Sequence, residues 1–230
     1  MDFFAKIAFY PTVFCNLALN RFTRFWPWFS RIDSLVVLGA IPFKNMIKQL
    51  INEQKIGGVV SLNMAHELDH SWVAGKADWE EAGVKHYWLP TQDYLHAPPA
   101  SDLLAIVQFI RSFEGTGRSV YVHCKAGRTR SATVAAAYLM EVRGMSPEEA
   151  VSDLVRRRHQ VLLRTAHWRA LSDFAIILQQ SNQTVIPPGS ELDSSSDASI
   201  ISASSQNVGV KADSPHNFAH CEPFIARSKL

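Results

Sequence analysis

Neither sign of charge dominates this chain. Its 23 Lys and Arg stand against 21 Asp and Glu, a formal net charge of +2. That balance lacks the basic footprint of a nucleic-acid-binding protein and excludes nucleic acid as the main partner. Long apolar runs are also missing: none reaches the 18 or so residues of a membrane span. Cysteine is scarce and odd in number, with Cys15, Cys124 and Cys221 far apart. Such spacing excludes a disulfide scaffold and argues against structural zinc. There is no tandem repeat. What remains is ordinary globular material, 47% hydrophobic and 19% charged over 230 residues, enough for one domain with extensions.

The even composition hides three segments. Residues 1–30 form an aromatic and basic N-terminal segment, residues 31–180 a central domain, and residues 181–230 a serine-rich tail. Seven phenylalanines fall between Phe3 and Phe29, beside Trp26 and Trp28, and residues 1–32 carry a net charge of +3. The uncharged stretch from Ile7 to Asn20 is too short to cross a bilayer and contains Pro11. Aromatics mixed with Lys and Arg suit a membrane interface or a targeting role; packing as a helix on the core is the alternative. The tail, with Pro187-Pro188-Gly189 and its serine clusters, cannot offset its ordering entropy and is expected to be disordered.

The middle alternates between strand and helix signals. β-rich runs at Leu35–Leu38, Gly58–Leu62, Lys85–Leu89 and Ser119–Val122 predict strands. Helical periodicity predicts helices over Lys44–Glu53, Ser101–Phe113, from Arg130 to Gly144, and over about Ala166–Leu178. Ser146-Pro147-Glu148-Glu149 places serine at an N-cap, proline at N1 and glutamate at N3 of another. The fold class is therefore α/β, a central, mostly parallel sheet flanked by helices.

One stretch carries chemistry. After the strand ending at His123 come Cys124, Lys125, Ala126, Gly127, Arg128, Thr129 and Arg130, then Ser131 and a helix rich in small residues. Backbone N–H groups of such a turn and the start of the following helix converge on one spot and make an anion site. The same field favours thiolate over thiol at Cys124. Arg130 closes the turn with a planar fork able to hold two phosphoryl oxygens. Nucleophile and clamp together suit phosphoryl transfer without a metal or other cofactor. The proton for a leaving alkoxide needs a carboxylate near the sheet's C-terminal edge. Asp93, just after the third strand, is the first candidate; Asp102 reads as a first-turn helix charge. The run Arg156-Arg157-Arg158 reads as a solvated face or as a basic face near the anion site.

His123 to Ser131 resembles the active-site loop of cysteine-based protein tyrosine phosphatases of the dual-specificity group. Within it the chain is most similar to the mitochondrial phosphatases that act on phosphatidylglycerophosphate. The resemblance extends to Ser146–Val151, Tyr10-Pro11-Thr12, Arg31-Ile32-Asp33 and Leu38-Gly39-Ala40, covering roughly residues 8–178. It implies a dual-specificity phosphatase-like fold, attack by Cys124 on phosphorus, and transition-state binding by Arg130 and the N–H groups of Lys125 to Arg130. Ser131 would then assist departure of the thiolate, Asp93 would serve as general acid, and His123 would order the loop. Arg164 matches an arginine near the family's active site, although Thr165-Ala166 replaces the Pro-Gly that follows it there. In the loop after the second strand, Asn63-Met64-Ala65-His66-Glu67, only Glu67 fits the family's acidic pattern.

The resemblance implies hydrolysis of a lipid phosphomonoester, phosphatidylglycerophosphate to phosphatidylglycerol in cardiolipin synthesis; a monomer touching the membrane through its aromatic and basic N-terminal segment is expected. A dual-specificity protein phosphatase acting on phosphotyrosine and phosphoserine or phosphothreonine is the alternative. A non-catalytic phosphate-binding module is a third reading, opposed by the presence of nucleophile, clamp and acid together. A mitochondrial, inner-membrane location is expected; Ser228-Lys229-Leu230 reads instead as a peroxisomal address.

Overall fold

A computed structural model describes residues 2–23, 26–93 and 96–183. The tail beyond Gln183, with Cys221 and Ser228-Lys229-Leu230, lies outside them.

Helix α1 (Asp2–Phe22) leads into strand β1 (Phe29–Arg31) and strand β2 (Val36–Gly39). A 3-10 turn (Lys44–Met46) and α2 (Ile47–Asn52) follow, then β3 (Ile56–Ser61), α3 (Ala65–Leu68), α4 (Lys76–Glu81) and β4 (Lys85–Trp88). Next come α5 (Ala100–Arg111), β5 (Ser119–His123), α6 (Arg130–Arg143), α7 (Pro147–Arg157) and α8 (Thr165–Gln183). The strands order β1-β2-β5-β3-β4. β1 pairs with β2 antiparallel, and every other pairing is parallel. This is the mostly parallel α/β sheet that the strand–helix alternation predicts.

The period-2 alternation of the central strands sorts their side chains onto two layers. Val36, Leu38, Val60, Val120 and Val122 face the cluster built from α5 to α8. Val37, Ile56, Val59 and Tyr121 face the opposite cluster, with Leu50 of α2 and Trp79 of α4. β2 and β5 are buried along their whole length, so they read as continuous apolar runs. Alanines 132, 135, 136 and 137 are buried along α6 and let that helix lie close to the sheet. α6 ends at Gly144, whose φ of 64° is a left-handed cap. α7 begins with the predicted capping box: Ser146 Oγ accepts from Glu149 N–H, and Glu149 Oε2 accepts from Ser146 N–H.

Three short elements escape sequence periodicity, β1, α3 and α4, because each is too brief to show a period. The helix predicted over Lys44–Glu53 is broken into the 3-10 turn and α2.

Candidate active site

The C-terminal ends of β2, β3 and β5 converge on the loop from Cys124 to Arg130. Its conformation follows from where its carbonyls go. Lys125 O accepts from Ile41 N–H (3.3 Å) and Arg128 O from Leu162 N–H (3.0 Å). Arg158 donates to Gly127 O (2.8 Å) and Ala126 O (3.4 Å). In a trans peptide the N–H points opposite to the C=O. Four carbonyls drawn outward therefore turn the N–H groups of Ala126, Gly127, Arg128 and Thr129 inward. Gly127 permits this turn: its φ is 66°, and a Cβ there would stand 2.5 Å from the carbonyl of Gly39.

Cys124 is buried at the base of this ring and accepts a hydrogen bond from Ser131 Oγ at 3.2 Å. Burial alone pushes the thiol up. Arg130, the Ser131 hydroxyl and the Ser131 N–H outweigh it, and the thiol lies below its ordinary value.

Arg130 is fully buried, and its fork is held from behind. Nη1 reaches Glu67 Oε2 (2.8 Å), Thr91 O (2.8 Å) and Leu62 O (3.1 Å). Nη2 reaches Glu67 Oε1 (3.1 Å) and Asp93 Oδ1 (3.2 Å). Nε has no acceptor among the described residues, although it is buried. An N–H left this way costs about 1–3 kcal/mol unless something accepts from it. Glu67 thus orients the guanidinium from α3, where its Oε2 also accepts from Met64 N–H. Asp93 makes a second ion pair to Lys125 Nζ (2.6 Å).

His123 lies behind the loop, fully buried, with Nε2 against Ser61 Oγ. Desolvation, reinforced by His86 and Arg130, pushes its pKa down to about 3, so it is neutral and cannot serve as a resting acid. Arg128 stacks on Trp26 (5.3 Å) and donates to Gln160 O. Thr129 caps α6, its carbonyl accepting from Thr133 N–H.

The structure adds detail to two sequence expectations. Arg164 is exposed, and the hydrogen bonds described for it are all from its backbone: its N–H donates to His167 Nδ1 at 3.3 Å, and its carbonyl accepts from the N–H groups of His167 and Trp168. The triple arginine is not one face. Arg156 and Arg157 pair with Asp153 on the surface of α7, whereas Arg158 turns into the interior. Arg158 was weighed only as part of the basic run, and His167 went unnoticed, since a run of arginines and a lone histidine carry no positional signal. Asp102 lies in the first turn of α5, as its sequence context suggests.

Comparison with known proteins agrees with this geometry. The model of the dual specificity phosphatase catalytic domain matches residues 42–176. The mouse protein "Phosphatidylglycerophosphatase and protein-tyrosine phosphatase 1" is 37% identical over 172 residues, covering 74% of this chain and 89% of its own length. The Arabidopsis thaliana protein "Phosphatidylglycerophosphate phosphatase PTPMT1" is 34% identical over 170 residues, covering 74% of this chain and 49% of its own length. A crystal structure of PTPMT1 in complex with PI(5)P superposes with a TM-score of 0.65 at 35% identity, over 67% of this chain and 99% of that one. With a loop of this construction at the sheet's edge and kinship over most of its length, the chain belongs to the dual specificity phosphatases and is a cysteine-dependent phosphatase.

Proposed function

We propose that this phosphatase hydrolyses a lipid phosphomonoester at a membrane surface, with phosphatidylglycerophosphate as substrate and phosphatidylglycerol as product. The observation that carries this reading is an apolar groove of about 1040 Å³ between α1 and the segment after β2, lined by Tyr10, Phe14, Leu17, Phe43 and Trp72 among others. Tyr10, Phe14 and Leu17 recur along one side of α1 and are 59%, 73% and 40% exposed, while Val13 and Asn16 face inward. The groove's wall is tied to the catalytic loop: two residues before Phe43, Ile41 N–H bonds Lys125 O. Apolar and aromatic surface beside a phosphate site suits acyl chains with the phosphate head turned inward. Relatives that act on phosphatidylglycerophosphate, and one crystallised with a phosphoinositide, support the same class. Among the described residues no helix is long and apolar enough to cross a membrane. The groove therefore makes α1 an interfacial element in this reading. A mitochondrial location rests on the basic, acid-poor N-terminal segment together with the family resemblance.

The chemistry runs in two steps. Cys124 thiolate attacks phosphorus; the P–O bond breaks and Asp93 gives its proton to the leaving oxygen. The inward N–H groups and the Nε–Nη2 edge of Arg130 hold the equatorial oxygens. Substrate competes with Asp93 for Nη2, which turns the carboxyl toward the leaving group. Water then attacks phosphorus, Asp93 takes its proton, and the P–S bond breaks with the electron pair returning to Sγ, where Ser131 Oγ–H stabilises it.

The test is phosphate release from phosphatidylglycerophosphate in mixed micelles, against phosphotyrosine and phosphothreonine peptides at matched concentration, with Cys124→Ser as control. Preference for the lipid is expected. Equal or greater turnover of peptide would overturn the lipid assignment in favour of a protein phosphatase. Activity surviving in Cys124→Ser would overturn the mechanism.

A further inference from the structure

His167 is fully buried at the third position of α8. Its Nδ1 accepts the N–H of Arg164, the residue just before the helix, which is the reciprocal half of a capping box. An imidazole that accepts at Nδ1 while neutral carries its proton on Nε2. That Nε2 has no partner among the described residues and is shielded from solvent. Capping does not explain it: a glutamate would cap this helix without burying an idle donor, which costs about 1–3 kcal/mol. The ring's surroundings are those of the active site. Burial holds it below the ordinary histidine value against the hydrogen bond with the Arg164 backbone; the charges of Arg130 and Arg164 act with burial, while Asp93 pulls in the opposite direction. The segment leading to it is anchored to the catalytic loop by Leu162 N–H to Arg128 O (3.0 Å). A buried, neutral N–H donor thus shares the neighbourhood of the phosphoryl clamp and of the carboxylate that must activate water.

Building on the two-step mechanism above, we propose that His167 holds the attacking water of the second step, donating Nε2–H to the water oxygen while Asp93 accepts one of the water protons. The remaining lone pair attacks phosphorus, the P–S bond breaks, and the electron pair leaves on Sγ. The imidazole neither gains nor loses a proton through the step. The first step, in which Cys124 is the nucleophile, has no use for this donor.

The two half-reactions separate this role from a structural one. With p-nitrophenyl phosphate, the full-length His167→Ala protein is expected to lose at least about tenfold in kcat, the scale of one aligned donor. Its kcat/KM, which reports the first step, is expected to stay within about threefold. Acid quench during turnover is expected to trap more phosphocysteine than in the parent protein. His167→Gln, whose amide can both cap and donate, is expected to restore kcat. Equal falls in kcat and kcat/KM without accumulated phosphoenzyme, or an unchanged kcat, would overturn the proposal. Circular dichroism melts of both variants identify a folding defect, and in that case a His167→Gln protein that folds yet stays slow in the second step also overturns it. Phosphocysteine that never forms in the parent protein would instead overturn the mechanism on which the proposal rests.

Discussion

Burial does opposite things to neighbouring residues at the base of the loop. Cys124 is buried, but Arg130 and Ser131 supply enough compensation to favour its charged form. His123 is buried one position earlier, and there the one opposing influence, a hydrogen bond with the Cys124 backbone, is outweighed, so it is neutral. The contrast has a measurable consequence for pH stability. A histidine with pKa about 6.5 when unfolded and about 3 when folded binds its proton in the unfolded state alone between those limits. Stability is therefore unaffected above the upper limit and falls as pH drops through the window, by about 1.4 kcal/mol per pH unit at most. Urea unfolding at pH 7 and pH 5 is expected to show this loss, and His123→Asn is expected to flatten it. An equal pH dependence in the variant would place the titrating group elsewhere. Gly127 is constrained by space as well as by φ, since a Cβ would meet the Gly39 carbonyl and Arg158 Nη2. Gly127→Ala is expected to reduce aryl phosphate turnover by about a hundredfold or more, since small misplacements of reacting groups cost that much. Turnover within threefold of the parent would show that the loop can relax.

Elements far apart in sequence meet at the loop, and Arg158 is where they are joined. Its guanidinium donates to Ala126 and Gly127 in the loop and to Pro27, Trp28 and Ser30 at the N-terminal edge. Burial pulls its pKa down to about 10, still well above neutrality, so it remains a cation donating at every working pH. Arg158→Met removes the donor to the Ala126 and Gly127 carbonyls, while Pro27 O keeps Gln160 and Trp28 O keeps the Ala40 N–H; each stranded carbonyl costs about 1–3 kcal/mol. A lower urea midpoint is expected, together with a fall of about a hundredfold in aryl phosphate turnover as the loop carbonyls lose their anchor. A lower midpoint with unchanged turnover would make Arg158 a fold-holding residue with no influence on the loop. The same elements show how far sequence reading reaches. β2 and β5 were legible because full burial leaves continuous apolar runs, and α7 because a capping box is a local pattern. Cys124, Arg130 and Ser131 were legible because strand, turn and helix carry them within nine residues from His123 to Ser131. Glu67 came only through resemblance, as a lone acidic match; its grip on Arg130 spans 63 positions and has no local signature. Arg158 was misread because three consecutive arginines look alike until the end of α7 sends one of them inward.

For the whole molecule the question is why the phosphatase domain carries α1 at all. The helix is not held by generic apolar packing alone. Trp26 Nε1–H donates to Asn16 Oδ1, and Asn20 donates back to Trp26 O, so the turn after α1 fixes the helix against the segment that Arg158 anchors. Trp26 also lies under Arg128 of the catalytic loop. One chain of contacts therefore runs from α1 through Trp26 to the phosphate site, and a lipid engaged by α1 would be delivered at a set distance from Cys124. Tyr10, Phe14 and Leu17 are left outward by this arrangement, and burying each in an acyl environment is worth about 1.5–3 kcal/mol. Replacing Phe14 and Leu17 together by glutamate removes that gain and repels anionic headgroups. The ratio of turnover on phosphatidylglycerophosphate in vesicles to turnover on p-nitrophenyl phosphate is expected to fall at least tenfold, since about 1.4 kcal/mol is a factor of ten. Co-sedimentation with anionic vesicles is expected to fall in parallel. If the double variant keeps both the ratio and the sedimentation, α1 serves only to brace the catalytic loop, and the lipid must reach Cys124 across another face.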